Sequence, residues 1–131
     1  MEEYKESQFR FSNPRIKKLS FRVSDNFDSS KYNGVGIKYE VTNRTNLNDA
    51  DVDLTVMIGK NEETVPFMIE ATVTANFTWN NGLSDEQVQA LLEKNAKVLL
   101  LSYLRPFISH LTVDAGYLPL FLPFSDFSES E

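Results

Sequence analysis

Val65-Pro66-Phe67-Met68-Ile69-Glu70-Ala71-Thr72-Val73-Thr74-Ala75-Asn76-Phe77-Thr78-Trp79 keeps every odd position apolar and almost every even position polar. Strict alternation of this length is a period-two signal and predicts a long β-strand with one buried face. At about 3.3 Å per residue the stretch would reach roughly 50 Å, far beyond the usual strand of about 5–6 residues. A bend or bulge is therefore expected, near Ala71 or Ala75. A strand this long needs partners along its whole length, and the chain before it supplies them.

Leu19, Phe21 and Val23 alternate with Lys18, Ser20, Arg22 and Ser24, which predicts a first strand over Arg15–Ser24. Asp25–Asn33, rich in Asp, Asn and Ser, reads as a loop. Val35, Ile37, Tyr39 and Val41 mark a second strand, polar Asn43–Asp51 a second loop, and Val52, Leu54, Val56 and Ile58 a third strand. Gly59-Lys60-Asn61-Glu62 is the turn of a hairpin leading into the long strand. Strands in sequence with short links favour an antiparallel sheet. Polar residues 1–9 are expected to fray.

The period then changes. Asn80-Asn81-Gly82 breaks the strand, and Ser84 with Gln87 forms a capping box that starts a helix. Ala96, Leu99, Leu100, Tyr103, Leu104, Phe107, Ile108 and Leu111 keep helical spacing, and Val98 and Leu101 widen the stripe. A helix this broadly apolar is expected to be buried on two sides, one by the sheet and the other by a second subunit. Asn95 is a candidate break between a short first helix and a longer second one. Pro106 removes the bond to the Ser102 carbonyl and predicts a kink. Asp114-Ala115-Gly116 ends the helix, with glycine at C′. Tyr117-Leu118-Pro119-Leu120-Phe121-Leu122-Pro123-Phe124 is apolar but holds two prolines, so it reads as an extended arm across the fold. Phe127 closes the arm, and Ser128–Glu131 is expected to be a disordered acidic tail. The fold class is α+β, a four-stranded antiparallel sheet followed by a long kinked helix and an arm, in one domain over residues 1–131.

Bulk composition narrows the function classes. At 131 residues the chain has the size of one domain, and it carries no cysteine for a disulfide or a thiolate. Its net charge of −6 argues against nucleic acid as main partner. The start, Met1–Phe11, holds no apolar signal core, and no run of about 18 apolar residues would span a bilayer; a cytoplasmic protein without membrane contact is expected. Without an export signal, the sequons at Asn43-Arg44-Thr45 and Asn76-Phe77-Thr78 carry no weight.

No constellation for catalysis is visible. His110 is the only histidine and lies on the helix beside Ser109 and Leu111, where a structural or surface role explains it best. Asp49, Asp51 and Asp53 alternate as an outward strand face does and lack the remainder of a calcium loop. Asn33-Gly34-Val35-Gly36 is a turn, not a phosphate loop. No enzyme activity, metal or cofactor is expected. Arg10, Arg15, Lys17, Lys18 and Arg22 form a basic cluster with no acid among them. An acidic partner is one reading; the solvent face of an edge strand, where cations deter unwanted pairing, explains it more simply.

Tyr103-Leu104-Arg105, Ile108-Ser109-His110-Leu111, Gly116-Tyr117-Leu118-Pro119-Leu120-Phe121-Leu122-Pro123 and Phe127 together resemble the SecB family of protein-export chaperones. That family carries a Y-A-R-E helix, an I-x-x-L continuation and a G-x-P-x-L-x-L-x-P-x-N-F arm. Phe77-Thr78-Trp79 with Gly82-Leu83, Phe67-Met68-Ile69-Glu70, and Ile16–Phe21 resemble its other strand motifs, so the likeness spans roughly residues 10–127. The resemblance implies a homodimer or homotetramer with helices between sheets, and an ATP-independent holdase for unfolded or non-native polypeptides in protein transport. Client-groove candidates are Phe77, Trp79, Tyr117, Leu118, Leu120, Phe121 and Phe124. The family docks the SecA motor on the sheet face, where Met68 and Glu70 keep the family type. Lys18 and Arg22 stand at acidic positions of the family, and bases there oppose a basic partner. Pro106 replaces the Glu of Y-A-R-E, and with the sequence ending at Glu131 the family's second C-terminal helix and SecA-binding tail are expected to be missing. SecB-like proteins that guard the antitoxin of a toxin–antitoxin pair offer the alternative of a chaperone dedicated to one partner.

Overall fold

The computed structural model describes residues 9–123. β1 (Phe9–Phe11), β2 (Arg15–Val23), β3 (Ile37–Thr45), β4 (Asp49–Ile58) and β5 (Phe67–Trp79) form one antiparallel sheet. α1 (Asp85–Ala90), a π-helical turn (Leu91–Asn95) and α2 (Ala96–Asp114) follow, then an extended arm over residues 117–123. The expected acidic tail, Phe124, Phe127 and the polar residues 1–8 lie outside the described residues.

β5, the long alternating stretch, is the centre of the sheet. It pairs with β4 along one edge, and with β2 and then β1 along the other. β3, β4 and β5 form a meander, and β2 reaches across to lie beside β5, which is a Greek-key order. The fifth strand arises because the first edge is interrupted at Ser12-Asn13-Pro14, where proline cannot continue the ladder. Phe9 is not frayed: it pairs with Trp79 and stacks on Phe77.

The bulge expected in the long strand is absent from its pairing with β4 and lies instead on its other partner, β2. β5 runs against β4 in unbroken register from Thr78 to Ile69. The bulge is at Lys17 of β2, between the pairs Ile16–Val73 and Lys18–Thr72. It reconciles two parities: Ile16 is even and Leu19, Phe21 and Val23 are odd, yet one extra residue puts all four on the helix side. The Asn43–Asp51 loop shrinks to Asn46–Asn48. Asp49 and Asp51 belong to β4 because they face the open side, where Asn76 Nδ2 donates to Asp49 Oδ2 and Asp51 Oδ1, each at 2.9 Å.

The helix is one continuous element. The Ser84–Gln87 capping box is present, but nothing breaks at Asn95, whose backbone is α-helical. The π-helical turn instead closes with the Ala96 N–H bonded to the Leu91 carbonyl. Eight residues of α-helix advance about 800° and would leave Ala96 about 80° away from Val88. The extra residue of the π turn brings it back to within about 20°, so Val88, Leu92 and Ala96 all reach the core. α2 continues through Pro106, which lies on the exposed side, where water can solvate the freed Ser102 carbonyl. Gly116, at φ +97°, ends the helix: its N–H bonds the Val113 carbonyl and the Tyr117 N–H bonds the Thr112 carbonyl, a Schellman pair.

The core lies between the helix and one face of the sheet. Val52, Leu54 and Val56 of β4, Ile69, Val73 and Phe77 of β5, and Leu92, Leu100, Leu104 and Ile108 of the helix are buried there.

Candidate functional site

The arm is the most unusual surface element. Its backbone is held against α2 by three helix side chains spaced along one face. Arg105 Nε donates to the Leu122 carbonyl at 2.7 Å, Ser109 Oγ to the Leu120 carbonyl at 3.1 Å, and Thr112 Oγ1 accepts from the Leu120 N–H at 3.0 Å. Thr112 is fully buried and spends its own proton on the Ile108 and Ser109 carbonyls. At the far end Tyr39 Oη donates to the Pro123 carbonyl, and burial raises the Tyr39 hydroxyl above its ordinary pKa, against a smaller opposing effect of Arg105.

With the backbone so held, the arm's side chains divide. Leu122 is fully buried and anchors the arm; Tyr117 packs on Phe67 with ring centroids 4.7 Å apart; Leu120 is half-buried. Leu118 and Phe121 point outward, 87% and 68% exposed. Phe121 and Leu122 line a cavity of about 330 Å³ with Arg105, Pro106, Ser109 and His110. His110 is exposed beside it. The outer face of α2 next to the arm carries exposed Val98, Tyr103 and Val113.

The strand end behaves differently. Phe77 is 1% exposed, between Phe9 and Phe11, so it belongs to the core and offers no surface. Trp79 is half-buried against Phe9. The structure thus brings Tyr117, Leu118, Leu120 and Phe121 together on the arm and sets Phe77 apart inside. Sequence reading missed Arg105, Ser109 and Thr112 as the groups that hold the arm. Their spacing of three to four on the helix was the available signal, but it required knowing that the arm folds back along that face.

On the opposite, open face of the sheet, Met68 and Glu70 are both half-buried. Lys18 Nζ bonds Glu70 at 3.0 Å, and Arg22 lies against the Met68 sulfur at 4.0 Å. The aspartate row does not form a metal site. Asp53 is nearly buried and takes Lys17 at 2.8 Å, Arg44 at 3.4 Å and Thr74 Oγ1 at 2.6 Å. Burial pushes its carboxyl up, but the hydrogen bonds from Lys17, Thr74 and Arg44 together outweigh this and hold it below the usual carboxylate range. Unfolded aspartate titrates near about 3.9. Asp53 therefore adds stability that is fully present above that pH and is lost as pH falls through its lower folded value. We expect Asp53→Asn to lower the urea midpoint at neutral pH, with the gap from wild type narrowing as pH falls below the ordinary aspartate value of about 3.9. A gap that stays constant with pH would refute the assignment.

Comparison with known proteins follows the same lines. The family model for the preprotein translocase subunit SecB matches residues 2–129. This chain belongs to the SecB family. The SecB-like chaperone Rv1957 of Mycobacterium tuberculosis, solved in complex with a ChAD peptide from the Rv1956 HigA1 antitoxin, has the same fold. Its TM-score is 0.72 at 14% identity, over 90% of this chain and 91% of that one. A Streptococcus agalactiae protein of unknown function is similar at a TM-score of 0.48 and 9% identity, over 89% of this chain and 98% of that one. No curated protein matches. Among the described residues of this SecB-family chain, no helix is long and apolar enough to cross a membrane, and no cluster of His, Cys, Asp or Glu could hold a metal ion.

Proposed function

We propose that this SecB-family protein is an ATP-independent chaperone that holds unfolded polypeptides on the arm, as a homo-oligomer in the cytoplasm. The observation that carries this reading is the arm: a backbone fixed by Arg105, Ser109 and Thr112, with Leu118 and Phe121 left facing solvent. Large apolar side chains held outward on a fixed backbone pay no further ordering cost when an extended chain lies down beside them. They also make no polar demand on its sequence. Exposed Val98, Tyr103 and Val113 give α2 a second apolar side, which a second copy would cover.

A narrower reading, one dedicated partner, draws on the antitoxin peptide bound by the Mycobacterium tuberculosis relative. Delivery to SecA has less support, since Lys18 and Arg22 stand on the face concerned. One experiment separates general from dedicated binding. A chemically unfolded test protein is diluted with this protein and without nucleotide, and aggregation and complex mass are followed by light scattering. Suppression by an oligomer is the expected result. A well-folded oligomer that suppresses nothing would remove the general-holdase reading and leave the single-partner one.

A further inference from the structure

The open face of the sheet carries a concavity, away from the arm. Near the Gly59 turn the strands enclose a concavity of about 520 Å³. Its floor includes Met57 and Met68, on neighbouring strands β4 and β5. Its rim carries Arg22 from β2, Lys38 from β3 and Lys60 from the β4–β5 turn. None of these three cations has a carboxylate within ion-pair distance among the described residues. The one acid in the lining, Glu70, is already bound by Lys18. Gly36 and Gly59, joined by a 2.9 Å backbone hydrogen bond, close the end without a side chain. At Gly59 none would fit: its φ is +77°, and a Cβ would stand 2.7 Å from the Phe67 carbonyl oxygen.

We infer that this concavity is a docking site for an acidic peptide segment of a partner protein. An apolar side chain of that segment fits between the two methionines, whose unbranched thioethers adapt to its shape. Asp or Glu on either side of it meet Arg22, Lys38 and Lys60, which accept carboxylates through charge-assisted bonds. The cations lie on three different strands or turns around one hollow, so they select clustered carboxylates rather than a lone one. The whole chain is at −6, so an acidic segment is repelled by its acidic surfaces and is favoured at these cations. A nucleic acid fits less well. Its phosphates continue past the hollow and meet Glu40, Asp49 and Asp51 on the same face, and it has no side chain for the methionine floor.

The test uses the full chain and fluorescence anisotropy of a short labelled peptide in which Asp and Glu flank a Leu-Phe pair. Saturable binding is expected, weakened about tenfold or more by R22E/K38E/K60E and by raising salt to about 0.5 M. The neutral variant R22Q/K38Q/K60Q, which adds no repulsion within the face, should weaken it less but measurably, and circular dichroism checks that both variants fold. A peptide with Lys at every acidic position should not bind. Absence of saturable binding to the acidic peptide, equal binding of the basic one, or indifference to both triple variants would each overturn the inference. So would single-stranded DNA that competes the peptide off and binds more tightly than it.

Discussion

Replacing Phe77 by alanine will cost this protein about 3–5 kcal/mol of folding stability, the range for removing a buried phenyl ring. The ring is 1% exposed, with the rings of Phe9 and Phe11 at 5.7 and 6.1 Å on the β1 side of β5. Removing it takes away apolar burial and also leaves a hollow at the point where the interrupted edge strand attaches. β1 has only three residues of pairing with β5, at Trp79, Thr78 and Phe77, so it will detach with the ring. In urea the midpoint should fall by about 2 M at an ordinary slope of about 2 kcal/mol per M, measured at fixed protein concentration. A loss below about 1 kcal/mol, within the range of surface substitutions and mild core changes, would mean that Phe77 is not a core residue and would return it to the client surface.

The double substitution Leu118→Ser and Phe121→Ser should have the opposite profile. Both side chains face water, so stability should move by no more than about 0.5 kcal/mol. Holding of unfolded protein should fall about tenfold or more, since burying each such side chain against a client is worth roughly 1.5–3 kcal/mol. Leu122→Ser makes the necessary contrast. It is fully buried, and its carbonyl is held by Arg105; its loss should cost stability and release the arm. Light scattering of a diluted, unfolded test protein reads the first effect and urea the second. Suppression by the double variant as strong as by wild type would sink the assignment of the arm as client surface.

Much of the fold could be read from residue periods. β5 announces itself because its alternation is uninterrupted, and its burial follows that alternation except at Thr72 and Thr74, which the sheet covers on both sides. The β2 bulge left a trace that sequence reading passed over: apolar parity slips between Ile16 and Leu19, while the irregularity was expected in β5. The Asn43–Asp51 segment was not, because strand residues whose polar side chains bond Asn76 look like a loop when Asn76 is unknown. The site was legible as a segment but not residue by residue. In an extended arm, which of Leu118, Leu120, Phe121 and Leu122 turns inward depends on how Arg105, Ser109 and Thr112 take hold of its carbonyls and amides. The basic hollow was out of reach for a different reason: Arg22, Lys38 and Lys60 are far apart in sequence, and only the Greek-key order makes them neighbours.

That order also governs how the chain comes into being. β3 and β4 can pair as soon as both are made, but β2 has no neighbour until β5 exists, and β5 is the last strand synthesised. At about 5–20 residues per second, the first strand waits for some seconds on the ribosome with its ladder groups and Phe21 exposed. Pairings this distant along the chain also make for slow folding. The cations of β2, of which Arg22 borders the basic hollow, meanwhile disfavour pairing of the waiting strand with copies on other ribosomes. If it holds unfolded chains as proposed, this protein begins its own life as one.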